Sequence, residues 1–229
     1  HTETNTVLGS TYGFKIVTVN EAGDSPPSVP AYVLIGTVPD APTLTALTPL
    51  AGATHQIDWT APTANGGFAV TGYEIERSTT SGSGFTTIAQ VGNVLTFTDP
   101  STTLTLGDTY YYRVLAINSQ GLSAASNQMS GLTGDVPDAV ANVTADAMVN
   151  YEINLNWTPA NENFYALTTY EIFASENGGT PVSQGTVPQA QTVFLDQGLN
   201  SGSTYTYSVY ATNSLGTSTV SNTPSTVAG

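Results

Sequence analysis

One pattern constrains this chain more than any other: it repeats itself at a fixed distance. The stretch YYYRVLAINSQG (Tyr110 to Gly121) has echoes in YGFKIVTVNEAG (Tyr12 to Gly23) and YTYSVYATNSLG (Tyr205 to Gly216). A glycine three residues before each tyrosine gives Gly9, Gly107 and Gly202, and an asparagine eight residues after it gives Asn20, Asn118 and Asn213. Gly23, Gly121 and Gly216 follow, then Ser28, Ser126 and Ser221, and every set steps by 98 and then 95 residues. Agreement at several residue types in one register marks a tandem repeat, each copy being one structural unit.

The upstream halves align only twice. Pro39-Asp40-Ala41 returns as Pro137-Asp138-Ala139, Trp59 as Trp157, and Tyr73-Glu74-Ile75 as Tyr170-Glu171-Ile172. Each copy closes on a glycine, at Gly36, Gly134 and Gly229. The chain therefore parses as residues 1–36, 37–134 and 135–229. The expectation is the closing hairpin of one unit, whose other strands lie outside this sequence, followed by two whole units.

Within a unit the period is that of strands. In the run Tyr110 to Ala116 the alternate set Tyr110, Tyr112, Val114 and Ala116 should face a core, with Arg113 on the other side. Turn signals such as Asn65-Gly66-Gly67, Gly82-Ser83-Gly84 and Asn177-Gly178-Gly179 punctuate the units at strand-length intervals. About seven short strands per unit, with no helical period and no crossover helix, predict an all-β, two-sheet sandwich. Composition agrees: Thr and Ser make about a quarter of the chain, beside 12 Tyr and 22 Gly.

Charge narrows the partners. Lys15, Arg77 and Arg113 are the only cations against 17 carboxylates, giving a net charge of -14. Binding to nucleic acid or anionic membranes depends on Lys and Arg, so both are excluded as expected partners. Cysteine is absent, which removes disulfides and thiolate chemistry. No apolar run approaches the roughly 20 residues needed to span a bilayer as a helix.

The segments WTAPTANGGFAVTGYEIERS (Trp59 to Ser78) and LTLGDTYYYRVLAINSQGLSAAS (Leu104 to Ser126) resemble the fibronectin type III family. The former is similar to that family's second strand, loop and third strand; the latter is similar to its tyrosine corner, sixth strand and final hairpin. The resemblance covers essentially the whole chain and implies tandem seven-stranded immunoglobulin-like sandwiches. It implies that Trp59 and Trp157 are core tryptophans packed between the sheets, and Tyr73 and Tyr170 are likewise placed in the core. It makes Tyr12, Tyr110 and Tyr205 corner tyrosines whose hydroxyls bond upstream backbone. Two departures stand out. Asn161-Glu162-Asn163 replaces the Gly-Gly of the first loop, so that loop should differ in shape, and Thr6 stands where Leu104 and Leu199 precede the other corners. Integrin-binding members carry Arg-Gly-Asp in the last hairpin; here the loops read NEAGDS, NSQGLS and NSLGTS, with Ala22 in place of Arg.

No catalytic set stands out. His1 and His55 are the only imidazoles. Together they have the composition of a copper brace, but the plainer reading makes His1 a cut end and His55 a solvent-facing residue at a strand start. No nucleophile elbow accompanies His55. Glu74 and Glu76 share one strand face, where a sandwich offers no sugar-sized cleft for a glycosidase pair; Glu76 or Glu74 should instead lie near Arg113 across neighbouring strands. Asp40, Asp135 and Asp138 sit at the junctions GTVPDAP and GDVPDAV without the Asp-x-Asp spacing of a calcium site, so proline-stiffened linkers are expected. No cofactor or metal is expected. Asn142-Val143-Thr144 and Asn156-Trp157-Thr158 fit the N-glycosylation sequon.

Two readings of function follow. One is a non-catalytic extracellular structural or adhesive array, part of a surface fibre or filament, in which further strands, chiefly from other copies of the chain, complete residues 1–36. The other makes the units accessory or ligand-binding modules of a secreted carbohydrate-active enzyme or a receptor ectodomain. Tyr111, Phe164 and Tyr165 are then the aromatics that would meet a carbohydrate or protein partner.

Overall fold

A computed structural model describes residues 2–229. Its first segment carries β1 (Thr11–Phe14), β2 (Val19–Asn20), β3 (Gly23–Asp24) and β4 (Ala31–Leu34). The middle segment carries β5 (Thr43–Leu50), β6 (Thr54–Thr60), β7 (Gly72–Ser78), β8 (Thr86–Gly92), β9 (Thr96–Asp99), β10 (Thr109–Asn118), β11 (Gly121–Leu122) and β12 (Met129–Leu132). The last carries β13 (Ala141–Met148), β14 (Glu152–Thr158), β15 (Thr169–Glu176), β16 (Val182–Pro188), β17 (Val193–Asp196), β18 (Thr204–Asn213), β19 (Gly216–Thr217) and β20 (Ser225–Val227). Among the described residues there is no α-helix, only a 3-10 turn at Ser101–Thr103. No helix among the described residues is long and apolar enough to cross a membrane.

The two longer segments share one topology. A three-stranded sheet runs β5-β6-β9 in one and β13-β14-β17 in the other. A five-stranded sheet runs β11-β10-β7-β8 with β12 on β10, and β16-β15-β18-β19 with β20 on β18. In the first segment β1 pairs with β4, and β2 with β3. This is an all-β fold of immunoglobulin-like sandwiches.

The chain gathers into two compact units. One takes the chain's start to Leu47 with Gln56–Thr98 and Tyr110–Gly131; the other takes Thr48–His55, Asp99–Thr109 and Leu132–Gly229. In the first unit the inward set of β10 (Tyr110, Tyr112, Val114, Ala116) is buried with Ile57, Trp59, Tyr73 and Ile75. In the other, Ile153, Leu155, Trp157, Tyr170, Ile172, Tyr207 and Val209 belong to one buried cluster. Strict alternation of buried and half-exposed residues along β10 and β18 gives each strand one core face.

His55 is the first correction. It is fully buried on β6, its Nε2 3.2 Å from the Leu132 carbonyl oxygen. Counting back from Trp59 by twos reaches Ile57 and then His55, so the strand period puts the imidazole inward. The loop after Trp157 is another. Gly66 and Gly67 adopt φ of 72° and 87°, and their counterparts Asn163 and Phe164 adopt 49° and 71°. The loop keeps its left-handed shape without glycine, at the cost of a strained phenylalanine.

Candidate functional site

The repeated residues come together at two kinds of place: the core beneath each tryptophan, and the turn where the last strand leaves the sheet. Trp59 meets Tyr73 edge-on at 5.3 Å between ring centroids, and Trp157 meets Tyr170 at 5.4 Å. Such pairs favour an edge-to-face approach, because the positive ring edge meets the negative face. The Tyr170 hydroxyl accepts the Ala160 N–H at 3.2 Å, whereas Tyr73 Oη is buried with no partner among the described residues. Burial raises the Tyr73 pKa above its ordinary value.

The corner tyrosines hold the preceding turn. Tyr12 Oη accepts the Val7 N–H at 2.9 Å, and Tyr205 Oη accepts the Asn200 N–H at 3.1 Å. Tyr110 and Tyr205 are buried, but Tyr12 is only half-buried. Its placement as a core residue is corrected: nothing in the described chain closes over the inner face of β1. Phe14 and Ile16 are 39% and 72% exposed, whereas their repeat counterparts Tyr112, Val114, Tyr207 and Val209 are fully buried.

Where the last strand peels away, its serines take over from the ladder. Ser123 and Ser126 accept the N–H groups of Ala116 and Val114; Ser218 and Ser221 accept those of Ala211 and Val209. In the first segment Ser25 and Ser28 accept those of Thr18 and Ile16. Each hydroxyl satisfies a strand donor that would otherwise stand unpaired. Ser25, Ser123 and Ser218 are absent from the sequence-based set, although they follow the same steps of 98 and 95 residues as Ser28, Ser126 and Ser221.

The asparagines of the repeat clamp the junctions. Asn118 Nδ2 donates to the Thr37 and Asn65 carbonyls at 2.8 and 2.9 Å. Asn213 Nδ2 donates to the Asp135 and Glu162 carbonyls at 2.8 and 3.2 Å. Loop and linker also bond backbone to backbone, Thr37 to Gly66 and Asp135 to Asn163. The junction carboxylates are used here too. Asp138 accepts from the side chains of Asn161 and Asn163, and Asp135 Oδ1 accepts the N–H groups of Gly52 and Val136. Among the described residues, no three His, Cys, Asp or Glu side chains gather as a metal site would need.

On the outer face of the middle sheet Arg113 Nε pairs with Glu76, directly across in register, and its guanidinium lies 4.2 Å from the Phe85 ring centroid. The buried Glu74 carboxylate accepts Thr87 Oγ1 at 2.9 Å and Gln90 Nε2 at 2.7 Å. The same face of the last sheet is built differently: Phe173 and Tyr210 meet edge-on at 5.6 Å beside a depression of about 370 Å³ that Glu171, Pro181, Ser208 and Thr217 complete. Sequence reasoning misses this aromatic pair, because two aromatics on different strands give no sequential signal.

The remaining candidates fall apart. Tyr111 and Tyr165 are half-buried; Tyr165 Oη donates to the Leu132 carbonyl at 2.9 Å, and burial raises its pKa. Phe164 is 57% exposed. Asn142 is exposed on β13, its Nδ2 3.4 Å from Thr158 Oγ1. Asn156 is half-buried within β14 and paired on both sides, to Thr144 and Val193. His1 lies outside the described residues. Sequence reasoning misses a buried polar pair as well: Tyr207 Oη donates to Asp196 Oδ2 at 2.8 Å. Burial pushes both groups above their ordinary values, and the neighbouring carboxylate adds to the rise at Tyr207.

Paired sheets around one tryptophan, a tyrosine corner and a serine-bonded last strand define a tandem of immunoglobulin-like modules. The fibronectin type III domain model matches residues 40–131 and 138–227, and the chain belongs to that family. It is 29% identical over 231 residues to Exoglucanase B of Cellulomonas fimi, a match spanning 94% of this chain and 20% of that protein. It is 34% identical over 137 residues to the Kelch domain-containing protein SSO1033 of Saccharolobus solfataricus, across 59% of this chain and 18% of that protein. The chain thus spans about a fifth of the length of these curated relatives. Among solved structures, the FN1-FN3 domains of chicken CNTN1 share the fold at a TM-score of 0.57 and 18% identity, over 97% of this chain and 78% of that one.

Proposed function

We propose that this chain is a non-catalytic, extracellular structural array: successive sandwiches whose side-chain chemistry serves packing and the fastening of their linkers. The observation that carries this reading is how the repeat's invariant polar residues are used. Asn118 and Asn213 hold linker carbonyls, and Ser123, Ser126, Ser218 and Ser221 hold strand N–H groups. The amide hydrogens of both asparagines and the hydroxyl hydrogens of the four serines are bonded to backbone carbonyls, so these groups have no donor left for a substrate. In this reading the open inner face of β1 is closed by further strands, from another copy of the chain or another part of the same protein. A net charge of -14 turns away nucleic acid and anionic membranes.

An alternative reading has its own support. Similarity to an exoglucanase along 94% of the chain, with an aromatic-lined depression at Phe173 and Tyr210, suits an accessory module of a carbohydrate-active enzyme. Sedimentation velocity across a concentration series, combined with a pull-down on insoluble glucan, separates the two. Concentration-dependent assembly without glucan retention is the expected result for the array. A monomer at every concentration that is retained on glucan, with retention lost in Tyr210→Ala, overturns it in favour of the accessory module.

A further inference from the structure

The end of each unit is framed by the same pair of backbone exchanges. Gly9 donates to Ile35 and Ile35 to Ser10; Gly107 donates to Thr133 and Thr133 to Asp108; Gly202 donates to Ala228 and Ala228 to Ser203. Beside this frame lie two glycines, the one that opens it and the one that closes the unit: Gly9 with Gly36, Gly107 with Gly134, Gly202 with Gly229.

What rests on those glycines differs from copy to copy. Inside the second compact unit, a Cβ on Gly107 would overlap the ring of Phe164, and one on Gly134 would overlap the ring of Tyr165. The turn between β5 and β6 joins the same assembly: Ala53 donates to the Gly134 carbonyl at 3.2 Å, and Gly52 donates to Asp135 Oδ1 at 2.8 Å. Inside the first compact unit, a Cβ on Gly36 would overlap the ring of Phe68, and Gly9 faces Gly67. At Gly36, Gly107 and Gly134 an aromatic ring takes the space a side chain would need, while Gly9 and Gly107 also adopt φ of 80° and 84°, which favours glycine by itself. The strained backbone of Phe164, with φ of 71°, is the cost of laying its ring there.

The third copy has the seat without the occupant. Tyr151 donates to the Gly229 carbonyl at 3.2 Å, the counterpart of the bond from Ala53 to Gly134. Yet a Cβ on Gly202 or on Gly229 would meet nothing within 4 Å. The turn above is apolar and open: Val149 is 76% exposed and Met148 and Tyr151 are 47% exposed, whereas Ala53, the counterpart of Tyr151, is buried. We propose that Tyr151, Gly202 and Gly229, with Met148 and Val149, form a docking surface for a following unit of this repeat in the same polypeptide. Its first loop lays an aromatic ring on Gly229 as Tyr165 lies on Gly134, and the next linker residue receives the turn as Asp135 receives Gly52. Continuity favours this occupant over a separate molecule, because the loop that covers Gly134 is bonded to the residue that directly follows it.

This inference rests on the array reading, and it can be tested with sequence already in hand. Residues 135–229 are appended after Gly229 as an additional unit, recreating the Gly-Asp junction, and amide hydrogen exchange is followed at Tyr151 and Gly202. Exchange at both should slow at least tenfold relative to the 229-residue chain. Gly229→Leu in the extended chain should return them to the faster rate; in the original chain, where that position is open, it should change nothing. Equal exchange in the extended and original chains overturns the docking surface, as does a Gly229→Leu effect of the same size in both. Either result would leave the sedimentation and glucan outcomes as they stand, so the surface can fail while the array reading survives.

Discussion

At the scale of single residues, the two copies treat a buried hydroxyl differently. Tyr170 Oη accepts the Ala160 N–H, a bond that Tyr73 does not share. Tyr73 Oη is left buried with no partner among the described residues. Tyr170→Phe should therefore cost about 1 kcal/mol, since it strands the Ala160 donor, whereas Tyr73→Phe should be neutral or slightly stabilising. Chemical denaturation of the two variants reads the contrast directly, and equal losses would contradict it. Asp196 gives a further residue-scale prediction. Its pKa is raised in the fold, chiefly by burial. A carboxyl with a raised folded pKa binds its proton more readily folded than unfolded, so its contribution to stability grows as pH falls through that range and is lost as pH rises past the folded value. Asp196→Asn removes that dependence. The difference in melting temperature between wild type and variant should move in favour of wild type on going from pH 7 to pH 4, and a difference that stays constant would count against it.

At the scale of strands and turns, the serines where the last strand leaves the sheet have unequal worth. Ser123 and Ser221 are buried, as are the amides they satisfy on Ala116 and Val209, whereas Ser28 and Ile16 stand in solvent. Ser123→Ala or Ser221→Ala should cost about 1–3 kcal/mol through an unpaired buried donor, and Ser28→Ala close to nothing. Urea unfolding of the three variants is the check. These elements also show what is legible in advance. The alternation along Tyr110 to Ala116 and the outward face of Arg113 can be read because they depend on the two-residue period alone; that Glu76 rather than Glu74 meets Arg113 is set by the register of β7 on β10. His55 departs from expectation because its polarity suggests solvent, while the same period, counted from Trp59, turns it inward. The loop around Asn163 departs from expectation because left-handed backbone does not require glycine; Asn visits that region readily, and Phe164 is held there by the ring's seat on Gly107. The Tyr207–Asp196 pair and the Phe173–Tyr210 depression join distant strands, so no local pattern announces them.

At the scale of the whole molecule, the repeat supplies its own reporters. The chain has two tryptophans, one in each family match, and both are packed against a tyrosine. Truncating such a core side chain to alanine costs about 3–5 kcal/mol, a large fraction of what a small domain possesses. Trp157→Ala should therefore lower the unfolding midpoint of residues 138–227 while the transition reported by Trp59 moves little. A common shift of both would mean that the sandwiches do not hold themselves together separately. The most direct measurement of the central claim, that each tryptophan is the closed core of its own sandwich, is acrylamide quenching of tryptophan fluorescence in the full chain and in Trp157→Phe, where Trp59 alone emits. Blue-shifted emission that resists quenching in both proteins until cooperative unfolding is the predicted result; red-shifted emission quenched as readily as free tryptophan would contradict it.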